Sequence, residues 1–311
     1  MHGKEGWAVS TLPPIRESEC LLPSGITLAC RGAGAGPVQA LLLHGFPEAA
    51  FAWDGVMRRL APRVATLAPN QRGYPGSSAP PGDEPYRARH LVADLEALIR
   101  HLGAPLPLLV AHDWGGAVAW NLAAQRPDLI RQLLIVNSPH PATFLRELRD
   151  DPAQIAASAY MNFLVRPDAA ALLADDDFRR LWPFFGDAAW LDEPMRERYR
   201  QAWRNGGRGL GPMLAWYRAS PLRPAVAGDD AVTRLELPDE AVTVRVPTTV
   251  LWGERDTALR PGLLDGLQRW VPRLDLRRVP EGTHWLVHEQ PALVADTIEA
   301  LLARPAPPMA G

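Results

Sequence analysis

The chain has 311 residues, 47% of them hydrophobic, with 33 Lys and Arg against 35 Asp and Glu and a formal net charge of −2. That length suits one large domain, or a core that carries a smaller inserted one, and 22% charged residues exclude a disordered or fibrous chain. The balanced charge lacks the basic footprint of a nucleic-acid binder, and no apolar run approaches the ~20 residues of a membrane span.

Two cysteines, Cys20 and Cys30, are too few for a disulfide scaffold or a metal cluster. Neighbouring strands would allow one bridge between them, but two reduced thiols in a cytoplasmic protein is the better reading. Met1 to Ser10 carries no apolar stretch behind its charges, so no signal peptide is expected. Lys4 is the single lysine; the other basic residues are arginines scattered along the chain.

Residues 38–43 form a continuous apolar run of the kind found in buried parallel strands, and residues 64–68 repeat it. Over 87–102, Leu91, Leu95, Leu98, Ile99 and Leu102 fall on one helical face. Residues 106–111 read as a third strand, 114–125 as a helix that stops at Arg126-Pro127, and 133–136 as a fourth strand. This alternation predicts an α/β fold: a mostly parallel central sheet flanked by helices. After Pro139-His140-Pro141 the rhythm breaks, and to about Pro224 only helix-like segments are legible, 155–164 and 193–203 among them. Strand character returns at 248–252, followed by a helix over 261–270, a strand over 274–279 and a last helix over 291–302. The expected organisation is therefore a core over 1–141, a helical insert over 142–240, the rest of the core over 241–303, and a Pro-rich tail, 304–311, expected to be disordered. Gly32-Ala33-Gly34-Ala35-Gly36 opens onto a strand instead of a helix N-terminus, so it reads as a flexible turn and not a phosphate loop.

The strongest chemical signal is Ala111-His112-Asp113-Trp114-Gly115-Gly116, at the junction of a buried strand and a helix. A nucleophile on such a tight turn needs small residues two places to each side, and Ala111 and Gly115 supply them. Asp stands where an esterase would have Ser. A carboxylate is ionised without help and suits attack on an sp3 carbon, not acyl transfer. A buried-turn Asp taken alone is more often a helix cap; the small flanking residues reverse that. Trp252-Gly253-Glu254-Arg255-Asp256 and Gly282-Thr283-His284-Trp285 each follow a strand, at the carboxyl ends where open α/β sheets build their sites. Asp256 would orient His284, and His284 would activate water as general base. Glu254 is the weaker acid candidate on the same loop. His44-Gly45-Phe46-Pro47-Glu48 follows the first strand, where the backbone N–H of Phe46 could pair with that of Trp114 as an oxyanion hole.

The order HGFPE, HDWGG, GERD and GTHW resembles the epoxide hydrolase and haloalkane dehalogenase branch of the α/β-hydrolase superfamily, over roughly residues 26–302. The resemblance implies a helical cap inserted after the sixth strand and an Asp nucleophile that forms an alkyl-enzyme ester. It implies too that the ester is hydrolysed by His-activated water, without cofactor or metal. In epoxide hydrolases it further implies two cap tyrosines that protonate the departing oxygen. Tyr160, in Ser158-Ala159-Tyr160-Met161, and Tyr217, in Leu214-Ala215-Trp216-Tyr217-Arg218, match those positions, although Ala215 replaces the family's Asn. His44, Pro47, His140, Phe163, Trp216 and Trp285 are then expected to line the pocket. The expected partner is a small apolar epoxide, with neither nucleic acid nor membrane involved; monomer and homodimer both fit.

The same nucleophile would serve a dehalogenase, which needs N–H donors around a halide. Phe46 stands where haloalkane dehalogenases often have Asn, though Trp182, Trp190 or Trp203 could substitute. Haloacid dehalogenases clamp a carboxylate with Arg residues that correspond here to Trp114 and Ala117. A non-catalytic receptor on the same fold would have no need of Asp113, Asp256 and His284 together. The other candidates have blander readings: Asp175-Asp176-Asp177 as a solvated loop, His90 and His101 as helix surface, and His288 as surface or packing. His112 is expected to point away from the nucleophile, and Asn70 to have no catalytic role.

Overall fold

The computed structural model describes residues 13–304; the reading of Met1–Ser10 and, apart from Arg304, that of the tail lie outside the described residues. Eight strands build one sheet in the order β1-β2-β4-β3-β5-β6-β7-β8. They are β1 (Arg16–Leu21), β2 (Thr27–Ala33), β3 (Ala40–Leu43), β4 (Thr66–Pro69), β5 (Leu108–His112), β6 (Leu133–Val136), β7 (Thr248–Gly253) and β8 (Leu274–Val279). β1 and β2 pair antiparallel, as do β2 and β4, and all later pairings are parallel. β3, β5 and β6 are buried at every residue, which is why they read as unbroken apolar runs: helices cover both faces.

Alternate residues of these strands feed separate cores. Leu42, Val110 and Leu134 pack with α1 (Asp54–Leu60) and with the C-terminal helix, while Leu41, Leu109 and Leu133 face α2 (Ala88–Leu102) and α3 (Asp113–Gln125). The hairpin β1–β2 escaped the periodicity reading because four of the first five residues of β1 are exposed and β2 is a polar-apolar mixture. It places Cys20 opposite Leu28 and Cys30 opposite Ser18, and both thiols are free and buried.

Between β6 and β7 the described chain is helical, with no strand: α4 (Pro141–Asp150), α5 (Pro152–Ala157), α6 (Tyr160–Leu164), α7 (Ala169–Phe178), α8 (Glu193–Arg204), α9 (Gly211–Ala219), α10 (Ala231–Arg234) and α11 (Asp239–Val242). After β8 come α12 (Leu286–Glu289) and α13 (Pro291–Leu302). Two expectations need correction. The helix over 155–164 is divided at Ser158-Ala159, where the backbone stays right-handed but the ladder tightens to i→i−3 bonds, Ala159 N to Ala156 O and Met161 N to Ser158 O. The helix over 261–270 is two separate turns on either side of Gly266, whose φ of 71° no right-handed helix accepts.

The insert is docked by its own polar side chains against core carbonyls. Trp203 Nε1 donates to Pro47 O (2.7 Å), Trp216 Nε1 to Arg72 O (2.9 Å) and Asn205 Nδ2 to Gly73 O (2.9 Å). Each such bond is worth about 1 kcal/mol, and more is lost when its buried partner is left unpaired. No helix of the described residues is long and apolar enough to cross a membrane.

Candidate active site

At the end of β5 the chain enters α3 through Asp113, held at φ 48°. A residue with a side chain is strained there, by roughly 1–2 kcal/mol, and the surroundings leave no room to relax. A Cβ on Gly115 would sit 2.6 Å from the His44 carbonyl oxygen, and one on Gly45 would collide with the Asp113 carboxylate. The glycines therefore let the β3 loop and the start of α3 close on each other around one side chain. The Phe46 N–H donates to Asp113 Oδ1 (2.8 Å) and Ser138 Oγ to the Asp113 carbonyl (2.6 Å). Trp114 heads α3, where the first N–H groups have no partner within the helix and the positive end of the helix dipole favours an anion.

Asp256 and His284 arrive on the loops after β7 and β8. His284 Nδ1 lies 2.6 Å from Asp256 Oδ2, and Nε2 lies 3.7 Å from Asp113 Oδ2. Asp256 also accepts from the amides of Ala258 (2.9 Å) and Leu259 (2.8 Å) and from Asn137 Nδ2 (2.9 Å). Burial works against its charge, yet His284 and these donors hold its carboxyl below the usual range. Burial likewise works against a charged His284, but the two aspartates overcome it and raise the imidazole to about 9. A proton on Nδ1 is fixed by Asp256, so Nε2 faces Asp113.

Behind this set lies a polar cluster that the sequence reading missed. Glu48, fully buried, receives His112 Nδ1 (2.9 Å), His288 Nε2 (2.7 Å) and the Tyr199 hydroxyl (3.2 Å). His112 Nε2 contacts the His284 carbonyl at 2.9 Å, so both of its ring nitrogens face oxygen acceptors. Burial opposes the charge of Glu48, and its histidine partners nevertheless hold it well below the ordinary carboxylate range. Of the two readings of His288, packing holds: its ring stacks on Trp190 of the insert at 4.0 Å. Asn137 was missed as well; its amide oxygen accepts from Gly253 N (2.9 Å) while its nitrogen holds Asp256. No spacing rule marks such residues, because they meet only through the sheet.

Tyr160 and Tyr217 enter from α6 and α9. Tyr217 packs edge-on against Trp114 (5.0 Å) and Phe46 (5.3 Å), Tyr160 against Phe184 (5.6 Å), with 6.4 Å between the two tyrosine rings. Burial, with the nearby Asp113 charge, pushes both phenols above their ordinary range, so at neutral pH both carry a proton. Two cavities, about 580 and 720 Å³, meet here, and only Asp113, Tyr160 and Tyr217 line both. His284, Trp285 and Phe46 line the second.

The remaining expected pocket residues lie elsewhere; neither cavity is lined by His44, Pro47, His140, Phe163 or Trp216. His44 is buried beneath the β3 loop, contacting Gly45 O and accepting from the Gln71 amide, and burial lowers its pKa to about 4. Pro47 and Trp216 serve the docking contacts already given. His140 anchors the start of α4, its ring between Val242 O and the Ala142 amide; it shows that side chains at the insert junction can face the hinge and not the cavity. Phe163 is partly buried against the larger hydrophobic cluster, with the Arg166 guanidinium over its ring at 5.8 Å. Asn70 braces a turn through Ala50 N and Pro75 O. Among the described residues no three His, Cys, Asp or Glu side chains are grouped to hold a metal ion.

Comparison with known proteins agrees with this architecture. The family model of the alpha/beta hydrolase fold matches residues 41–291. An AB hydrolase superfamily protein of Bacillus subtilis, YfhM, is 34% identical over 88% of this chain and 94% of its own. Epoxide hydrolase 3 of Xenopus tropicalis is 32% identical over 84% of this chain and 70% of its own. Among solved structures, an epoxide hydrolase of Bacillus megaterium bound to an inhibitor superposes with a TM-score of 0.83 at 28% identity, covering 92% of this chain and all of that one.

Proposed function

This chain belongs to the α/β-hydrolase fold family, as a hydrolase with epoxide-hydrolase relatives, and from that premise we propose that it opens an epoxide to a vicinal diol through a covalent ester on Asp113. The observation that carries this reading is the placement of one carboxylate and two protonated phenols as the three side chains common to both cavities. An oxirane seated there meets a nucleophile on one side and proton donors on the other.

In the first step an oxygen of Asp113 attacks a ring carbon. The ring C–O bond breaks, its electron pair stays on oxygen, and Tyr160 or Tyr217 supplies the proton. In the second step His284 Nε2 takes a proton from water, and the hydroxide adds to the Asp113 carboxyl carbon. The tetrahedral oxyanion is met by the Phe46 N–H, already 2.8 Å from Asp113 Oδ1, with the Trp114 N–H as its partner. By then His284 has passed its resting proton to the phenolate left by ring opening; collapse breaks the ester bond, the leaving alkoxide takes the proton of the added hydroxyl, and the diol departs with the phenol, the imidazolium and the Asp113 carboxylate restored. No metal or cofactor enters either step.

The electrostatics order the two steps. The charge of Asp113 is one of the causes that keep His284 protonated in the resting enzyme. Alkylation removes that charge, so the imidazole loses support for its proton and becomes a base once the ester that needs it has formed.

The test is intact mass on a His284→Gln variant exposed to epoxides and haloalkanes. A gain equal to the whole epoxide supports the proposal. A gain equal to an alkyl group, with the halogen lost, moves the activity to dehalogenation. A folded variant that forms no adduct with any epoxide refutes it.

A further inference from the structure

Resting on the epoxide reading, we propose that the substrate is an uncharged oxirane substituted on both ring carbons, with one substituent in each cavity, and that Ala117 and Ala157 set how large each substituent can be.

The two cavities diverge from the reacting centre. One runs over α3 past Ala117 and Phe144 towards Asn121 and Leu222, which are half-buried. The other runs past His284 and Ala157 to Pro183 and Thr257, which are exposed. Asp113, Tyr160 and Tyr217 thus stand where the two arms join. A three-membered ring held between them directs its two carbons to opposite arms. A terminal oxirane would fill one arm and leave the other to water, forfeiting the burial of its second wall at about 25 cal/mol per Å² of apolar surface.

The lining also restricts charge. Apart from Asp113, His284 and the two protonated phenols of Tyr160 and Tyr217, no ionisable acid or base lines either arm among the described residues. A carboxylate or ammonium carried into either arm would be desolvated without a partner, which costs far more than its neutral counterpart. The other polar side chains there are neutral: Ser138, engaged with the Asp113 carbonyl, Thr257, Asn121, whose Nδ2 donates to Ala117 O (2.8 Å), and Ser220, whose oxygen accepts from Leu222 N (3.2 Å). Asn121 and Ser220 fit an ether, hydroxyl or amide at the end of the first substituent.

Both alanines present only a methyl group to the lining, so a larger side chain at either takes space from its arm. Ala117 is on α3 one turn beyond the nucleophile, and Ala157 closes α5. The experiment measures kcat/KM for trans-β-methylstyrene oxide and its terminal analogue, styrene oxide, with wild type, Ala117→Leu and Ala157→Leu; Ala117→Ser and Ala157→Ser, together with thermal midpoints, control for folding. We expect wild type to prefer the disubstituted oxirane. Both Leu variants should lose about tenfold or more on it, since filling a hydrophobic pocket by that volume is worth 10- to 200-fold. Styrene oxide should be impaired by only one of the two. The corresponding epoxy-carboxylate, with the methyl oxidised to an acid, should be the poorest substrate of wild type. Equal losses on both oxiranes in both variants, or no loss on the disubstituted one, would overturn the two-arm inference while leaving the activity intact. If wild type hydrolyses neither oxirane and His284→Gln takes up neither, the epoxide reading itself falls.

Discussion

The sheet core and the helical insert bring side chains to the same cavity by different means. Asp113, Asp256 and His284 stand at strand ends and are held by short hydrogen bonds to amides and buried side chains: Phe46 N for Asp113, and two amides, Asn137 and His284 for Asp256. Tyr160 and Tyr217 hang from short helices and are placed chiefly by aromatic packing. A hydrogen bond fixes a group in both distance and direction, whereas edge-on ring packing sets mainly the separation and tilt of the rings. In the proposed mechanism the nucleophile, the base and its orienting acid thus come from the hydrogen-bonded core, and the two proton donors from the aromatic face of the insert.

The sharpest way to break this comparison is at Asp113. Asparagine there preserves shape and the contact with the Phe46 N–H but is not a nucleophile, so turnover should fall on the order of 10⁴-fold or more. The same variant tests the coupling between the steps. With the charge gone, the His284 imidazole, raised to about 9 in the intact site, should titrate measurably lower by NMR of its ring. An unchanged titration would mean that Asp256 alone sets the proton affinity. The pH dependence of stability has a definite sign. Because the folded-state pKa lies above the unfolded value of 6.5, the stabilisation from His284 is complete below about 6.5 and is lost as pH rises through about 9.

On the insert side, Tyr160→Phe combined with Tyr217→Phe should slow ester formation by roughly 10²- to 10⁴-fold and leave hydrolysis of a formed ester unchanged. Rapid-quench mass spectrometry separates the two. Each single variant should cost less than the pair, since the second phenol can still donate. Equal slowing of both steps would move the tyrosines from proton donation to general shape.

The division between core and insert also governs what could be read from sequence. β3, β5, β6 and β7 were legible because full burial forces continuous apolar runs, and the turn at Asp113 because close packing forces small residues around it. β1 was not, since an exposed edge strand carries polar residues like those of a loop. The insert was legible as helical but not in its divisions: at Ser158-Ala159 the backbone stays right-handed and only the hydrogen-bond ladder tightens, with no Pro or Gly to mark the break. Glu48 illustrates the deeper limit. It lies in the quoted HGFPE segment, but its role depends on His112, 64 residues away, and His288, 240 residues away; only the fold brings them together.

A smaller effect is expected at Asn137, which belongs to the core and lines neither cavity. Asn137→Ala removes a hydrogen bond to the buried Asp256 carboxylate and leaves the Gly253 amide without its acceptor. A bond to a charged group is worth about 1.5–3 kcal/mol, so hydrolysis of the ester should slow by about tenfold while its formation is nearly unaffected. That is the reverse of the split expected for the tyrosines. A variant slowed in both steps alike would show that Asn137 holds the site as a whole and not the orientation of His284.

The smallest effect is expected where insert and core meet through charge. Arg198 Nη2 lies 2.6 Å from Asp54 Oδ2 and its guanidinium rests over the Phe51 ring at 4.5 Å, but Asp54 is also paired with Arg31 through both oxygens. Arg198→Ala therefore leaves no carboxylate unpaired, and a partly exposed pair of this kind contributes about 0.2–1 kcal/mol. Thermal unfolding should show a small decrease, and kcat for any oxirane should not change. Trp203→Phe provides the contrast, because it strips the Pro47 carbonyl of a buried donor, at about 1–3 kcal/mol, next to the Phe46 amide that faces Asp113. If docking of the insert matters to chemistry, it is through this contact and not the ion pair. Trp203→Phe should then lower kcat as well as stability, and a variant that loses only stability would confine the coupling between insert and core to the substrate arms.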